Sequence, residues 1–248
     1  MTKLPIMIDG LSAGYGNKTV IRDISFSVQP GEVFGLIGLN GAGKSTLIKA
    51  ILGLGKAQGK SSLFSVPSGP AASRADLAYL PEKFQPSPVL KGWEFLSLTL
   101  AYYGRKLDRE LAAGLCANLD LDPAALNRSG RTYSKGMGQK LGLLGTMLIG
   151  LPLLILDEPM SGLDPRARIM LKDRLLDYRA QGHTVFFSSH ILSDIEEICD
   201  RIAVIHQGEL LFIGTPQELI QRSDRANLER SFLAMIDAWD RERAAKGA

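Results

Sequence analysis

The chain has 248 residues, of which 45% are hydrophobic and 22% charged, with a formal net charge of +3. That composition excludes a disordered chain, and so mild a positive bias gives no electrostatic case for a nucleic-acid partner. Cys116 and Cys199 lie far apart, which excludes a disulfide framework, and three histidines are too few for a His-rich zinc cluster. Glycine is in excess, with 26 residues, and no collagen-like or glycine–serine repeat accounts for them. They are expected at particular backbone positions.

Taken in chain order, residues 1–10 carry Lys3, Pro5 and Asp9 without a long apolar core, and are read as no signal peptide. Pro5–Ser12 and Thr19–Val28 read as strands, with Gly14, Gly16 and Asn17 turning between them. Within Glu32–Ile37 the run Val33-Phe34-Gly35-Leu36-Ile37 is apolar on both faces, as a strand buried in a parallel sheet should be. A helix follows from Lys44, with Leu47, Ile48, Ile51 and Leu52 on one face and Gly53 as its stop. Gly59–Ser73 reads as short strands and loop, and Leu77–Leu80 as a strand. From Trp93 to Leu119 the pattern is helical, with breaks at Gly104 and near Asp108. The apolar run Leu141–Leu156 is shorter than the ~20 residues of a membrane helix and contains Gly142, Gly145, Gly150 and Pro152. It reads as a buried helix followed by a buried strand, and the protein as soluble by itself. Asp164-Pro165 opens a helix to about Gln181. Thr184–Ser189, Arg201–Ile205 and Leu210–Ile213 are strands, Ile191–Cys199 is a short helix, and Arg225–Ala245 is a helix docked on its own domain. Such alternation predicts an α/β fold.

Two motifs carry chemistry. Gly38-Leu39-Asn40-Gly41-Ala42-Gly43-Lys44-Ser45-Thr46 fits G-x-x-x-x-G-K-S/T between a buried strand and an amphipathic helix. Its glycines let backbone N–H groups turn toward phosphate oxygens, Lys44 supplies a cation for the β and γ phosphates, and Ser45 offers an oxygen to Mg²⁺. Leu153–Leu156 ends in Asp157 and Glu158, at the strand end where open α/β sheets bind ligands. Asp157 suits Mg²⁺ and Glu158 suits a general base acting on water.

With these residues in this order, the chain resembles the ATP-binding subunit of ABC transporters over nearly its whole length. The resemblance implies a P-loop NTPase (RecA-like) α/β core with an antiparallel β subdomain and an inserted α-helical subdomain. It assigns residues 1–82 and 151–221 to the core, 83–150 to the helical insertion, and 222–248 to a C-terminal helical tail. Gly38, Asn40, Gly41, Ala42, Gly43, Lys44, Ser45 and Thr46 then hold the phosphates of ATP, and Tyr15 stacks on adenine. Ser161-Gly162-Leu163-Asp164 resembles the loop after the catalytic Glu158. His190 in Ser188-Ser189-His190 is similar to the switch histidine on the γ phosphate. Ser134 and Gly136 in Tyr133-Ser134-Lys135-Gly136-Met137 match the signature motif that completes the opposite subunit's ATP site. Here Lys135 and Met137 depart from the family's LSGGQ form. Glu82 stands where the family usually has glutamine, and as a hard-oxygen donor it can serve Mg²⁺.

The resemblance further implies a head-to-tail dimer or paired ATPase subunit around two Mg-ATP, and an integral-membrane permease as partner. The chain would then sit peripherally on the cytoplasmic face, without a covalent membrane anchor. Leu-Pro-Glu and Ser-Lys-Gly-Met resemble the branch serving two-subunit exporters. The other reading kept open is a soluble ABC-type ATPase acting in cofactor or macromolecular assembly. His183 and His206 are expected at loops or edges. Asp194, Glu196 and Glu197 are expected on a solvated helix face. Gly138, Gly142 and Gly145 are expected to permit close helix packing.

Overall fold

The computed structural model describes residues 3–246. Along the chain the elements are β1 (Ile6–Tyr15), β2 (Lys18–Val28), β3 (Val33–Ile37), α1 (Lys44–Ile51), β4 (Ala57–Leu63), β5 (Val66–Pro67) and β6 (Leu77–Leu80). Then follow α2 (Gly92–Tyr102), α3 (Arg109–Ala117), α4 (Lys135–Leu148), β7 (Leu153–Asp157), α5 (Pro165–Ala180) and β8 (Thr184–Ser189). The chain continues with α6 (Leu192–Ile198), β9 (Arg201–His206), β10 (Glu209–Gly214), α7 (Pro216–Ser223) and α8 (Leu228–Lys246). It divides into two compact units. One comprises the chain up to Ala75 and from Phe186 onward, and the other is Asp76–Val185.

The first unit carries a four-stranded antiparallel sheet in the order β2-β1-β4-β5. Beside it in sequence, β3 runs parallel to β9 with Phe34 opposite Arg201 and Ile37 opposite Val204, and β10 returns antiparallel to β9. β3 is buried at all five positions. That burial is why its sequence shows no polar alternation. Phe26, Phe34 and Phe186 form a mutually stacked cluster, with centroids 5.2 Å apart for Phe26–Phe34, 5.7 Å for Phe34–Phe186 and 6.4 Å for Phe26–Phe186. The entry to β3 is pinned at both backbone ends. Val33 N–H donates to Asp200 Oδ2 at 2.8 Å, and Asp200 N–H donates to the Val33 carbonyl at 2.9 Å. Glu32 accepts from Arg201 Nη1 at 3.2 Å, yet burial outweighs that partner and raises the Glu32 carboxyl above its ordinary range.

In the second unit β6 and β7 pair in parallel, Leu77 opposite Leu153 and Leu80 opposite Leu156. α4 is its central helix and touches α2, α3 and β6. The glycines of α4 bear out close packing. A Cβ on Gly142 would lie 2.6 Å from the Phe84 ring and 2.8 Å from Leu80, and one on Gly138 would lie 3.1 Å from Pro86. A Cβ on Gly145 would lie 3.2 Å from Phe95. Each glycine gives up about 1 kcal/mol of helix propensity relative to alanine. The neighbours' approach offsets that cost.

Several expectations shift. Gly14 lies inside β1, opposite Thr19, so the turn is confined to Gly16-Asn17. α7 follows a Thr215 N-cap with Pro216 at its first position and Glu218 closing a capping box. Those signals, Thr215, Pro216 and Glu218, stand in the sequence. His206 is a buried residue of β9 rather than a loop or edge histidine, and Asp194 is only 2% exposed, not solvated. His183 stands in the loop after α5, edge-on to Tyr178 at 4.4 Å. α8 buries Leu228, Phe232 and Ile236 within its own unit, as a docked tail helix should.

Candidate functional site

The phosphate loop belongs to the first unit. It leaves the end of β3, crosses residues 38–43 and enters α1, whose Leu47, Ile48 and Ile51 are fully buried. Each such side chain contributes about 1.5–3 kcal/mol on burial. The helix start is therefore held by its own hydrophobic face. Gly43 stands at φ +111°, and a Cβ there would come within 2.7 Å of Ile21. Only glycine fills that position without strain. Lys44 is 7% exposed, and its Nζ donates to the Gly38 carbonyl at 2.8 Å, across the mouth of the loop. Ala42 N–H donates to the Leu39 carbonyl at 3.1 Å, tightening the turn. Ser45 and Thr46 open α1 half-buried, whereas Asn40 and Gly41 are exposed.

Tyr15 and His190 also belong to this unit. Tyr15 closes β1 opposite Lys18 and is 58% exposed, so its ring is accessible. His190 follows β8 directly and is exposed.

The carboxylates belong to the second unit. Asp157 ends β7 and Glu158 follows it; both are buried, at 2% and 7%. Glu158 holds a left-handed backbone at φ +52°. Its carbonyl accepts from Ser161 N–H at 3.1 Å, closing the turn that starts the next loop. A non-glycine residue in that conformation costs about 1–3 kcal/mol, a strain that collects at functional positions. Glu82 stands exposed in the turn after β6.

The same unit brings the signature segment and the loop after Glu158 together. Ser134 is the N-cap of α4, its Oγ accepting from Met137 N–H at 3.2 Å. A Cβ on Gly136 would lie 3.0 Å from the Gly162 carbonyl. Gln139 Nε2 donates to the Pro159 carbonyl at 3.3 Å. Lys140 is nearly buried and donates to the Asp120 carbonyl at 2.7 Å and to Asp120 Oδ2 at 3.0 Å, with Asp164 Oδ2 at 3.7 Å. Asp164 caps α5 through Ala167 N–H at 3.0 Å. That amide first, and Lys140 second, hold its carboxyl below the usual range. Gln139, Lys140 and Asp120 were not anticipated from sequence. The available signal was a polar pair, Gln139-Lys140, heading an otherwise apolar helix.

Mg²⁺ takes hard oxygen ligands and usually keeps waters and substrate phosphates beside one or two protein groups. The Ser45 hydroxyl at a helix start of the first unit and the Asp157 carboxylate at a strand end of the second are each donors of that kind. No helix among the described residues is long and apolar enough to cross a membrane.

A buried strand, a glycine loop with an inward lysine, and a helix N-terminus define a P-loop NTPase core with a β subdomain and helices. A family model described as ABC transporter matches residues 21–161, over half the chain, and the protein belongs to that family. An uncharacterized ABC transporter ATP-binding protein of Synechocystis sp. is 40% identical over 204 residues, covering 81% of this chain and 58% of that protein. The Nod factor export ATP-binding protein I of Burkholderia orbicola is 35% identical over 226 residues, covering 89% of this chain and 74% of that one. A solved structure titled as the ATP binding subunit of an ABC transporter superposes with a TM-score of 0.84 at 34% identity. It covers 93% of this chain and 99% of its own. The chain spans 58% and 61% of the length of the first two curated relatives it matches.

Proposed function

We propose that this chain is the ATP-binding and ATP-hydrolysing subunit that drives a separate membrane permease, acting in export. The observation that carries the reading is the phosphate loop, with a buried Lys44 held by Nζ on the Gly38 carbonyl. On ATP arrival that ammonium exchanges a neutral carbonyl for anionic phosphate oxygens, so that both partners of the bond are then charged. Residues 38–46 and Tyr15 take the nucleotide. Ser45 and Asp157 hold Mg²⁺, which when bound neutralises charge on the β and γ phosphates, and Glu82 is a further oxygen donor. Glu158 accepts the proton of the attacking water, and His190 contacts the γ phosphate. Ser134 and Gly136 close over the nucleotide of a second, head-to-tail subunit.

Within this reading, residues 83–150 form the helical insertion that meets the permease. The core comprises 1–82 and 151–221, and 222–248 the tail. The permease places the chain at the cytoplasmic face of the membrane. Export is supported by a Nod factor export protein among the relatives.

The test is equilibrium binding of a fluorescent ATP analogue with Mg²⁺. Lys44→Ala is expected to weaken binding about 10–100-fold, the loss of one charge-assisted partner set. Undiminished affinity would remove Lys44 from the site. Copurification from native membranes with an integral-membrane protein is the expected companion result, and recovery only in soluble assemblies would favour the non-transport reading.

A further inference from the structure

The phosphate loop is backed by a hairpin that no nucleotide motif marks. β9 and β10 are joined at Gln207-Gly208, with φ +49° and +82°. Gly208 N–H donates to the Ala42 carbonyl of the phosphate loop at 3.0 Å, and the Gly208 carbonyl accepts from Arg22 N–H at 2.8 Å. A Cβ on Gly38 would stand 2.6 Å from the Ile205 carbonyl of β9. The loop thus leans on this hairpin near its start and again at Ala42.

The hairpin is in turn held by the C-terminal helix. Asp240 Oδ1 on α8 lies 2.9 Å from Nε2 of the buried His206 and accepts from Gln207 Nε2 at 3.1 Å. Trp239 meets His206 edge-on at 5.0 Å, and Arg243 covers Trp239 at 4.7 Å while reaching Glu209. At the other end of α8, Leu228 N–H donates to Glu196 Oε2 at 3.1 Å. Glu196 belongs to α6, the helix that follows His190. One helix of 19 residues is therefore tied to the hairpin behind the loop and to the helix behind His190.

We propose that α8 is a brace for nucleotide binding, with Asp240 as a positioning residue that acts through His206, Gln207 and Gly208 on the phosphate loop. The inference rests on the ATP reading of that loop. Its physical basis is peptide planarity. In a trans peptide the C=O and the following N–H point opposite ways. A Gly208 bond to the Ala42 carbonyl therefore aims the Gly43 N–H away from the hairpin. A loop with that peptide already fixed pays less ordering cost when phosphate arrives. Release of Asp240 frees the turn, and the binding-competent loop becomes a smaller fraction of the population.

The experiment compares wild type, Asp240→Ala, Asp240→Asn and Gln207→Asn by fluorescent-ATP titration, steady-state kinetics and amide exchange at Gly208 without nucleotide. Asp240→Ala is expected to raise the ATP Kd and KM about 3–10-fold while kcat at saturating ATP stays within about twofold. Gly208 exchange should quicken in the same variant. Asp240→Asn keeps an acceptor oxygen and should restore both readouts. Gln207→Asn tolerates the left-handed turn but shortens the reach, and should shift Kd in the same direction by less. A purely structural role would lower the melting temperature and leave Kd unchanged. That outcome, or faster Gly208 exchange with unaltered Kd, overturns the brace. Wild-type protein that binds no ATP would instead overturn the nucleotide reading from which the brace starts.

Discussion

Glu158 sits in a backbone conformation that L-residues avoid, at φ +52°, immediately after a fully buried strand. The strain is affordable only because β7 and the Ser161 turn fix its two sides. It places the proposed general base at the end of the strand, 7% exposed. Replacing Glu158 by Gln keeps the shape and removes the proposed base. Turnover is expected to fall about 10²–10⁴-fold with ATP affinity retained, read by phosphate release and nucleotide titration. Wild-type turnover would remove Glu158 from the base role. The cysteines carry a pH prediction. Burial, reinforced by Asp122, pushes the Cys116 thiol up to about 11 from 9.0, and burial raises Cys199 as well. The native thiol thus keeps its proton where the unfolded one loses it. Its contribution to stability is complete below pH 9 and is lost as pH rises from 9 towards 11. At pH 8 a thiol reagent is expected to label neither cysteine in the native protein and both in denaturant.

Among the elements, α4 concentrates the most constraints. Its N-terminus is capped by Ser134, its middle admits Phe84 and Leu80 against Gly142, and Lys140 ties it to Asp120 and Asp164. The signature segment is thereby held to the loop that follows Glu158, inside one compact unit. Gly142→Leu forces a side chain where even a Cβ has no room. It is expected to destabilise by about 1–3 kcal/mol or more, measured as the urea midpoint at constant slope. Lys140→Met removes the cation facing the Asp120 and Asp164 carboxylates and keeps an apolar stem. A cost of about 1.5–3 kcal/mol is expected, the range for hydrogen bonds to charged groups. Serine, second glycine and glycine-rich helix were legible in sequence. The Lys140–Asp120 tie was not, because its partners come from separate elements and neither belongs to a motif.

For the whole molecule, the head-to-tail proposal makes a prediction that no single chain can meet. In a dimer, the Lys44 of one chain and the Ser134 of the other would share a nucleotide. Lys44→Ala and Ser134→Arg proteins should each be inactive as homodimers. Mixed, they form heterodimers with one intact site, and roughly a quarter of all sites should recover under random pairing. Phosphate release on mixing measures it. No recovery in mixtures shown to exchange subunits would refute the arrangement. The helical stretch 83–150 and the core segments around it remain the proposal's functional divisions, while the chain's compact units break at Ala75/Asp76 and Val185/Phe186.

By itself the sequence determined the elements and the chemistry that is local in the chain. β3, the phosphate loop and α1 follow from an apolar run, three glycines and a 3.6-residue period. The same holds for β7 with its two carboxylates and for the Asp164 and Ser134 caps. In each the interacting residues lie within a few positions of one another, so spacing encodes contact. The tertiary structure alone decided what depends on distant chain segments meeting. It buried His206 against Asp240 and Trp239, buried Asp194, and placed Gly208 on the Ala42 carbonyl. It also gave the glycines of α4 their neighbours. Nothing in a residue's near neighbours reports which strand turn or helix face will reach it, and packing energy is summed over those distant partners. The glycine excess divides along the same line, with Gly41, Gly43 and Gly162 at positive φ and Gly138, Gly142 and Gly145 set by what packs against them.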